Sequence, residues 1–144
     1  MHVPYHAAAG LLVGTGVGWT VSPAAGLTAG AATVLIDVDH YLWYAVRFHD
    51  LSLRHAVRIF ITKEADNYYC LCVFHTLEAM AGYAALLLGP HALPFWAAVG
   101  CLVHMAMDCL EGLVDRNLLL RKWSLVFALA YWFRTGRFQA HLER

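Results

Sequence analysis

The sequence contains little charge of either sign. Asp, Glu, Lys and Arg make up 14% of its 144 residues, whereas hydrophobic residues make up 60%. A soluble domain carries about 25% charged residues, so these few charges do not cover a soluble globule. The remaining apolar surface requires lipid or a large partner. The formal net charge is zero, and no basic stretch indicates a nucleic-acid partner.

Two common sequence signals are also missing. No Lys or Arg precedes Arg47, whereas a secretory signal begins with a positively charged segment; we therefore expect the first apolar segment to be retained. The four cysteines do not form the C-x-x-C spacing of zinc ribbons and redox motifs. We interpret them as small packing residues, and a disulfide stays open as an alternative. They are Cys70, Cys72, Cys101 and Cys109.

Two long stretches carry no charged residue, and proline interrupts each of them. The first covers residues 7–36 and is broken at Ser22-Pro23; the second covers 79–107 and is broken at Gly89-Pro90. A transmembrane helix needs about 20 residues and proline breaks helices, so each stretch predicts a helical hairpin. The chain is thus expected to form a single all-α membrane domain over 1–144. This domain is a four-helix transmembrane bundle with helices near 4–20, 24–39, 70–88 and 94–111.

The charged residues gather in two other segments, 41–68 and 115–144. Both mix charged with aromatic side chains, which is typical of segments that lie in a membrane interface. All ten Lys and Arg fall in these segments and none in a hairpin turn. By the positive-inside rule the two segments, and with them both termini, are cytoplasmic. The sequence therefore predicts a multi-pass protein of the inner membrane in contact with lipid.

Histidine is the unusual residue of this composition, because nine His accompany ten acidic residues. Four of these His and three Asp fall at the cytoplasmic end of the predicted helices. His104 and Asp108 are four residues apart and share a helix face. A carboxylate near the membrane core costs about 2.5–3.5 kcal/mol, and a divalent cation is a suitable partner for several carboxylates and imidazoles. We expect a cytoplasmic metal site formed by His6, Asp37, Asp39, His40, His75, His104 and Asp108.

Several of these positions have other interpretations. The His104–Asp108 pair alone is compatible with a simple hydrogen bond, and the segment Asp37-Val38-Asp39-His40 with a helix cap. Glu78, one turn after His75, is open as a ligand, as a hydrogen-bond partner of a ligand or as a general base. We interpret the remaining histidines as interfacial or surface residues: His2, His49, His55, His91 and His141.

The spaced motifs resemble those of the LexA-regulated, membrane-bound metal-dependent hydrolases of the YdjM type. The resemblance covers about residues 1–112, and it implies a small four-helix membrane protein. It also implies a distant similarity to zinc-dependent phospholipase C and P1 nuclease, which use a His-x-x-x-Asp element in a multi-zinc site. The motifs are His6, Asp37-Val38-Asp39-His40, Phe74-His75-Thr76 and His104-Met105-Ala106-Met107-Asp108.

The chain departs from this family before the third helix. The family places a His-Arg pair ahead of a Thr-His-Ser motif, where this sequence has Cys70 and Leu71, and Phe74 and Thr76 replace the Thr and the Ser. Because Arg is suited to bidentate phosphate contacts, the metal ligands carry over more directly than a phosphate substrate does.

Three functions are compatible with these residues. The first is a hydrolase that acts on a phosphoester or lipid-linked substrate, with one to three divalent ions. Zinc is the expected metal, and manganese and iron are alternatives. Asp39 or Glu78 would serve as the general base. The second function is metal binding or transport without catalysis, and the third is a structural module locked together by its polar cluster.

Overall fold

A computed structural model describes residues 3–62, 64–67, 72–114 and 124–135. All regular secondary structure within these ranges is helical, which confirms the predicted all-α class. Two short 3₁₀ turns, Glu64–Asn67 and Val73–His75, accompany the α-helices. The α-helices are α1 (Val3–Thr20), α2 (Pro23–Leu35), α3 (Val38–Phe48), α4 (Leu53–Ile61), α5 (Leu77–Leu86), α6 (Ala92–Val114) and α7 (Leu125–Thr135).

The first hairpin consists of α1 and α2, and its turn lies where the sequence places it. The Ser22 hydroxyl accepts a hydrogen bond from the Ala25 N–H at 3.2 Å, and Pro23 occupies the first turn of α2. Ser at the N-cap and Pro at the first helical position both favour a helix start. Helix α2 then packs between α1 and α6, so it forms the centre of the bundle.

Glycines allow these helices to approach closely. Gly10 and Gly14 of α1 face Gly26 and Gly30 of α2, so that a Cβ on Gly30 would lie 2.7 Å from the Gly10 carbonyl oxygen. A Cβ on Gly26 would collide with the carbonyl oxygen of Gly14, and one on Gly100 of α6 with that of Ala29. Rows of small residues four apart are typical of helix contacts in membranes.

Helices α2 and α5 are shorter than the sequence predicts. Helix α2 ends at Leu35, and Asp37 occupies the break before α3 begins at Val38. The predicted helix near 24–39 is therefore two helices, because the chain turns at Asp37. Helix α5 begins only at Leu77, since Thr76 caps it by accepting the Ala79 N–H at 3.2 Å. Residues 70 and 71 of the predicted third helix lie outside the described residues.

The two predicted interfacial segments are helical where they are described. Segment 41–68 contains most of α3 and all of α4. Asp50 holds the turn between these two helices, because its carboxylate accepts hydrogen bonds from the Tyr44 hydroxyl, the His55 ring and the Ser52 N–H. Within segment 115–144 only residues 124–135 are described, and they include α7. The prediction for the rest of that segment lies outside the described residues.

One described helix, α6, is long and apolar enough to cross a membrane. Helix α5 has ten residues, which span about 15 Å at 1.5 Å per residue, half of the ~30 Å hydrocarbon core. Among the described residues, helix length therefore supports one membrane-spanning helix and does not establish four. Large apolar side chains are nevertheless exposed along the helical hairpins, among them Trp19 at 93% and Leu27 at 76%.

Glycine substitutions test the close contact between α1 and α2. We expect Gly26→Ala to lower the free energy of unfolding by about 1–3 kcal/mol, because the new methyl group overpacks a tight contact. Gly16→Ala is the matched control, since a Cβ there meets nothing within 4 Å and Ala favours a helix by up to about 1 kcal/mol. Thermal unfolding in detergent, followed by circular dichroism, measures both. Equal shifts of the melting temperature in the two variants would contradict the close contact between α1 and α2.

Candidate metal centre

The structure brings together all seven residues that the sequence analysis assigned to a metal site. They come from four separate parts of the chain, and five of the seven lie near helix ends or breaks. His6 lies in the first turn of α1, Asp37 at the α2–α3 break, Asp39 and His40 in α3, His75 in the 3₁₀ turn before α5, and His104 and Asp108 in α6.

Three ligand atoms form a tight triangle at the centre of this cluster. The Nε2 atoms of His75 and His104 are 3.2 Å apart, and Asp37 Oδ1 lies 3.3 Å from the first and 3.4 Å from the second. Tetrahedral zinc with bonds of about 2.0–2.1 Å separates its ligand atoms by about 3.3–3.4 Å. The triangle therefore has the dimensions of one face of a zinc coordination shell.

A fourth ligand atom faces this triangle. Asp108 Oδ2 lies 4.0 Å from the Nε2 atoms of both His75 and His104. Asp108 and His104 are on the same face of α6, as their spacing of four residues requires. Two imidazoles and two carboxylates thus converge, a donor set found in zinc sites and also compatible with manganese or iron.

Hydrogen bonds on the outer side fix the orientation of the two central rings. His104 Nδ1 lies 2.8 Å from the Thr33 carbonyl oxygen; since a carbonyl only accepts, Nδ1 carries the proton and donates it. His75 Nδ1 lies 3.2 Å from Asp39 Oδ2. In the neutral form that a metal ion requires, each ring would therefore direct a lone pair on Nε2 toward the other ring. Such a pair requires a proton or a cation between them, and metal-binding histidines are commonly oriented in this way.

Asp39 contacts two of the ligand candidates and does not belong to the central triangle. Its Oδ1 lies 2.8 Å from His40 Nδ1, and its Oδ2 accepts the Phe74 N–H at 2.8 Å in addition to facing His75. Both carboxylate oxygens are occupied by these contacts. The structure thus favours Asp39 as the residue that orients His40 and His75, over the roles of ligand and general base considered from the sequence.

Glu78 lies apart from this arrangement. Its exposed carboxylate accepts hydrogen bonds from the Ser124 hydroxyl at 2.6 Å and the Leu125 N–H at 3.0 Å, so it caps the N-terminus of α7. It belongs to none of the converging ligand groups among the described residues. In this structure the Glu78 carboxylate therefore contacts the start of α7, and its role as a general base stays a prediction.

Three further residues contact the cluster without having been singled out. Glu111 forms a ligand group with His6 and Asp108, and Cys72 forms one with Asp39 and His40. Glu111 follows Asp108 by three residues and His104 by seven, a helical spacing that could have identified it. Thr33 acts through its backbone carbonyl, which no sequence pattern signals. Among the described residues Cys72, Cys101 and Cys109 form no disulfide, and Cys70 lies outside the described residues.

Burial and charge together favour a cation in this site. Burial alone would raise the pKa of Asp37, but the nearby imidazoles of His104, His6 and His75 hold that pKa far below its usual range. Burial would likewise lower the pKa of His75, but Asp37 and Asp39 raise it to about 9. Two buried atoms, His6 Nδ1 and Asp37 Oδ1, form no hydrogen bond among the described residues. Buried polar atoms of this kind need a partner, so the residues present fit a metal ion.

No protein-family model matches the chain, and no curated protein or solved structure matches it. The interpretation of the site therefore depends on its own geometry.

The pKa of His75 predicts a pH dependence of metal binding. Below about pH 9 His75 is protonated in the metal-free protein, and a metal ion requires the neutral ring. We expect about one proton to be released per ion bound at pH 7. The metal affinity should rise about tenfold per pH unit from 7 to 9 and level off above that. Calorimetric titration in two buffers with different ionisation enthalpies measures the proton release. An affinity that is constant between pH 7 and 9 would contradict the prediction.

Proposed function

We propose that the protein is a membrane-bound, metal-dependent hydrolase that uses metal-activated water on a phosphoester or lipid-linked substrate. The observation that carries this proposal is the triangle of Asp37, His75 and His104, whose edges of 3.2–3.4 Å fit a zinc ion. A bound zinc ion would lower the pKa of a water molecule to about 7 and polarise the scissile group. Asp37, His75, His104 and Asp108 are the residues that would hold it.

The open side of the cluster indicates where a substrate would enter. The side chains of Asp37 and His40 are 16% and 15% exposed, whereas those of His104, His6 and His75 are 0%, 4% and 9% exposed. A substrate would therefore approach along Asp37 and His40. His40 Nδ1 bonds to Asp39, which leaves its Nε2 to accept a proton. This Asp–His pair is our candidate for the general base, in the role that the sequence analysis gave to Asp39 or Glu78.

The proposal includes a membrane environment for the helices. The exposed apolar side chains of α1, α2 and α6 and the length of α6 support it, since soluble proteins rarely expose large contiguous apolar patches. In this proposal the two hairpins form a four-helix transmembrane bundle with cytoplasmic termini, and the bilayer is locally thin around the short α5. The cluster then lies toward the cytoplasmic end of α6, within reach of lipid head groups.

The resemblance to the YdjM-type hydrolases supports the metal site more than the substrate. The four motifs named for that resemblance contain all seven residues of the cluster: six ligand candidates, and Asp39, which orients two of them. The positions of the family's His-Arg pair hold Cys70 and Leu71. The activity test below is therefore needed to identify the class of bond that the protein would hydrolyse.

Substitution of the central ligands tests the hydrolase proposal. In full-length protein purified in detergent and loaded with zinc, we expect Asp37→Asn and His104→Ala each to lower phosphodiesterase activity at least about 100-fold. Each variant removes a ligand of the ion that activates water. His91→Ala is the control, because His91 is exposed in the turn before α6, and its activity should be unchanged. Hydrolysis of bis-p-nitrophenyl phosphate and of a phospholipid is the measurement.

Two other outcomes of this test are informative. Tightly bound zinc without hydrolysis of either substrate would contradict the hydrolase proposal and favour a metal-binding or transport protein. A protein that binds no metal and whose melting temperature is insensitive to chelator would favour a structural module.

A further inference from the structure

The outer face of α3 is apolar. Val38, Leu42 and Val46 are four residues apart, so they lie on one side of the helix, and all three side chains are exposed, that of Val46 to 74%. The exposed side chains of Val34 and Leu35 at the end of α2 precede this row. The apolar surface of the first hairpin therefore continues past the break at the end of α2 and onto α3.

The outer face of α4 is basic. Arg54 and Arg58 are also four residues apart, and both are exposed. Asp50 is the only acidic residue between positions 41 and 62, and its carboxylate is engaged by the three hydrogen bonds that hold the α3–α4 turn. The two arginines therefore give this surface a positive charge that suits an anionic partner.

Contacts on the inner side of α4 fix these two faces relative to each other. Ala56 is 2% exposed, and the ring of Phe60 packs against that of Trp43 in α3, with centroids 5.9 Å apart. Phe60 also packs edge-on against His40, at 5.0 Å between centroids. Helix α4 thus lies beside the open side of the metal centre, with its arginines turned outward.

We infer that the outer faces of α3 and α4 form a docking surface for anionic phospholipids. The apolar row of α3 enters the boundary between head groups and acyl chains, and Arg54 and Arg58 contact the lipid phosphates. Helices that lie in a membrane interface combine an apolar face with basic residues in this way. The continuity of the apolar row with the hairpin favours a lipid partner over an acidic protein, because lipid would cover both.

This inference rests on the membrane environment included in the proposed function, but it does not depend on hydrolysis. It goes beyond the interfacial position expected for segment 41–68, because it assigns a preference for negatively charged lipid to two named arginines. Each Arg near an anionic membrane surface strengthens binding about fivefold.

Lipid binding to single-charge variants tests this inference. Full-length protein in a neutral detergent is titrated with phosphatidylglycerol or with phosphatidylcholine, and native mass spectrometry measures the bound lipid. We expect a preference for phosphatidylglycerol, which Arg54→Gln and Arg58→Gln each weaken about fivefold without changing phosphatidylcholine binding. Val46→Gln should weaken the binding of both lipids alike, because it removes apolar surface and no charge.

Arg134→Gln is the matched control, because it removes the same charge from an exposed position on α7. Its lipid binding should be unchanged, and circular dichroism checks that every variant is folded. Equal affinity for the two lipids, or equal losses in Arg134→Gln and Arg58→Gln, would overturn the inference. So would binding of polyglutamate in place of lipid, which would assign the surface to an acidic protein.

The results also separate this inference from the proposed function. The expected lipid preference in a protein without phosphodiesterase activity would overturn the hydrolase proposal and support the docking surface. An active, zinc-loaded enzyme without the preference would overturn the docking surface alone.

Discussion

The partly buried carboxylate of Asp37 is the constraint on which the rest of the structure depends. It lies at the break between α2 and α3, and the imidazoles around it, those of His6, His40, His75 and His104, come from four different elements. An ionised carboxylate in such surroundings is expensive unless it is paired. The histidines stabilise it in the metal-free protein, and a metal ion would replace the proton that His75 carries. The same charge therefore holds the helices together and creates the affinity for a cation.

Close packing of α2 against α6 positions the ring of His104 in the site. Ala29 and Gly100 let α2 and α6 approach closely. The Thr33 hydroxyl, which donates within α2 to the Ala29 carbonyl oxygen at 2.9 Å, therefore also lies 3.2 Å from the Gly100 carbonyl oxygen of α6. In this position the Thr33 carbonyl oxygen reaches His104 Nδ1 and directs the opposite nitrogen inward. The small residues of the hairpins thus do more than allow contact: they bring a backbone acceptor to the ring that a metal ion would bind.

The sequence predicted the members of the cluster better than the helices that carry them. The His and Asp residues were identifiable because polar residues are rare beside long apolar stretches, and because a bundle aligns the ends of its helices. The break at Asp37 was not identifiable, since no Gly or Pro marks it and the turn is imposed by the contacts of the carboxylate. The contact of Glu78 with α7 was not predictable, because a position one turn after His75 does not reveal which neighbour the side chain meets. That neighbour, α7, is 46 residues further along the chain.

The most direct test of the metal centre is X-ray absorption spectroscopy at the zinc edge of the loaded protein. The structure predicts a shell of nitrogen and oxygen atoms at about 2.0–2.1 Å, with the multiple-scattering pattern of two imidazoles and no sulfur atom. A sulfur atom at about 2.3 Å would assign the ion to the thiol of Cys72 beside Asp39 and His40. Such a result, or a shell without imidazole, would contradict a centre built on Asp37, His75 and His104.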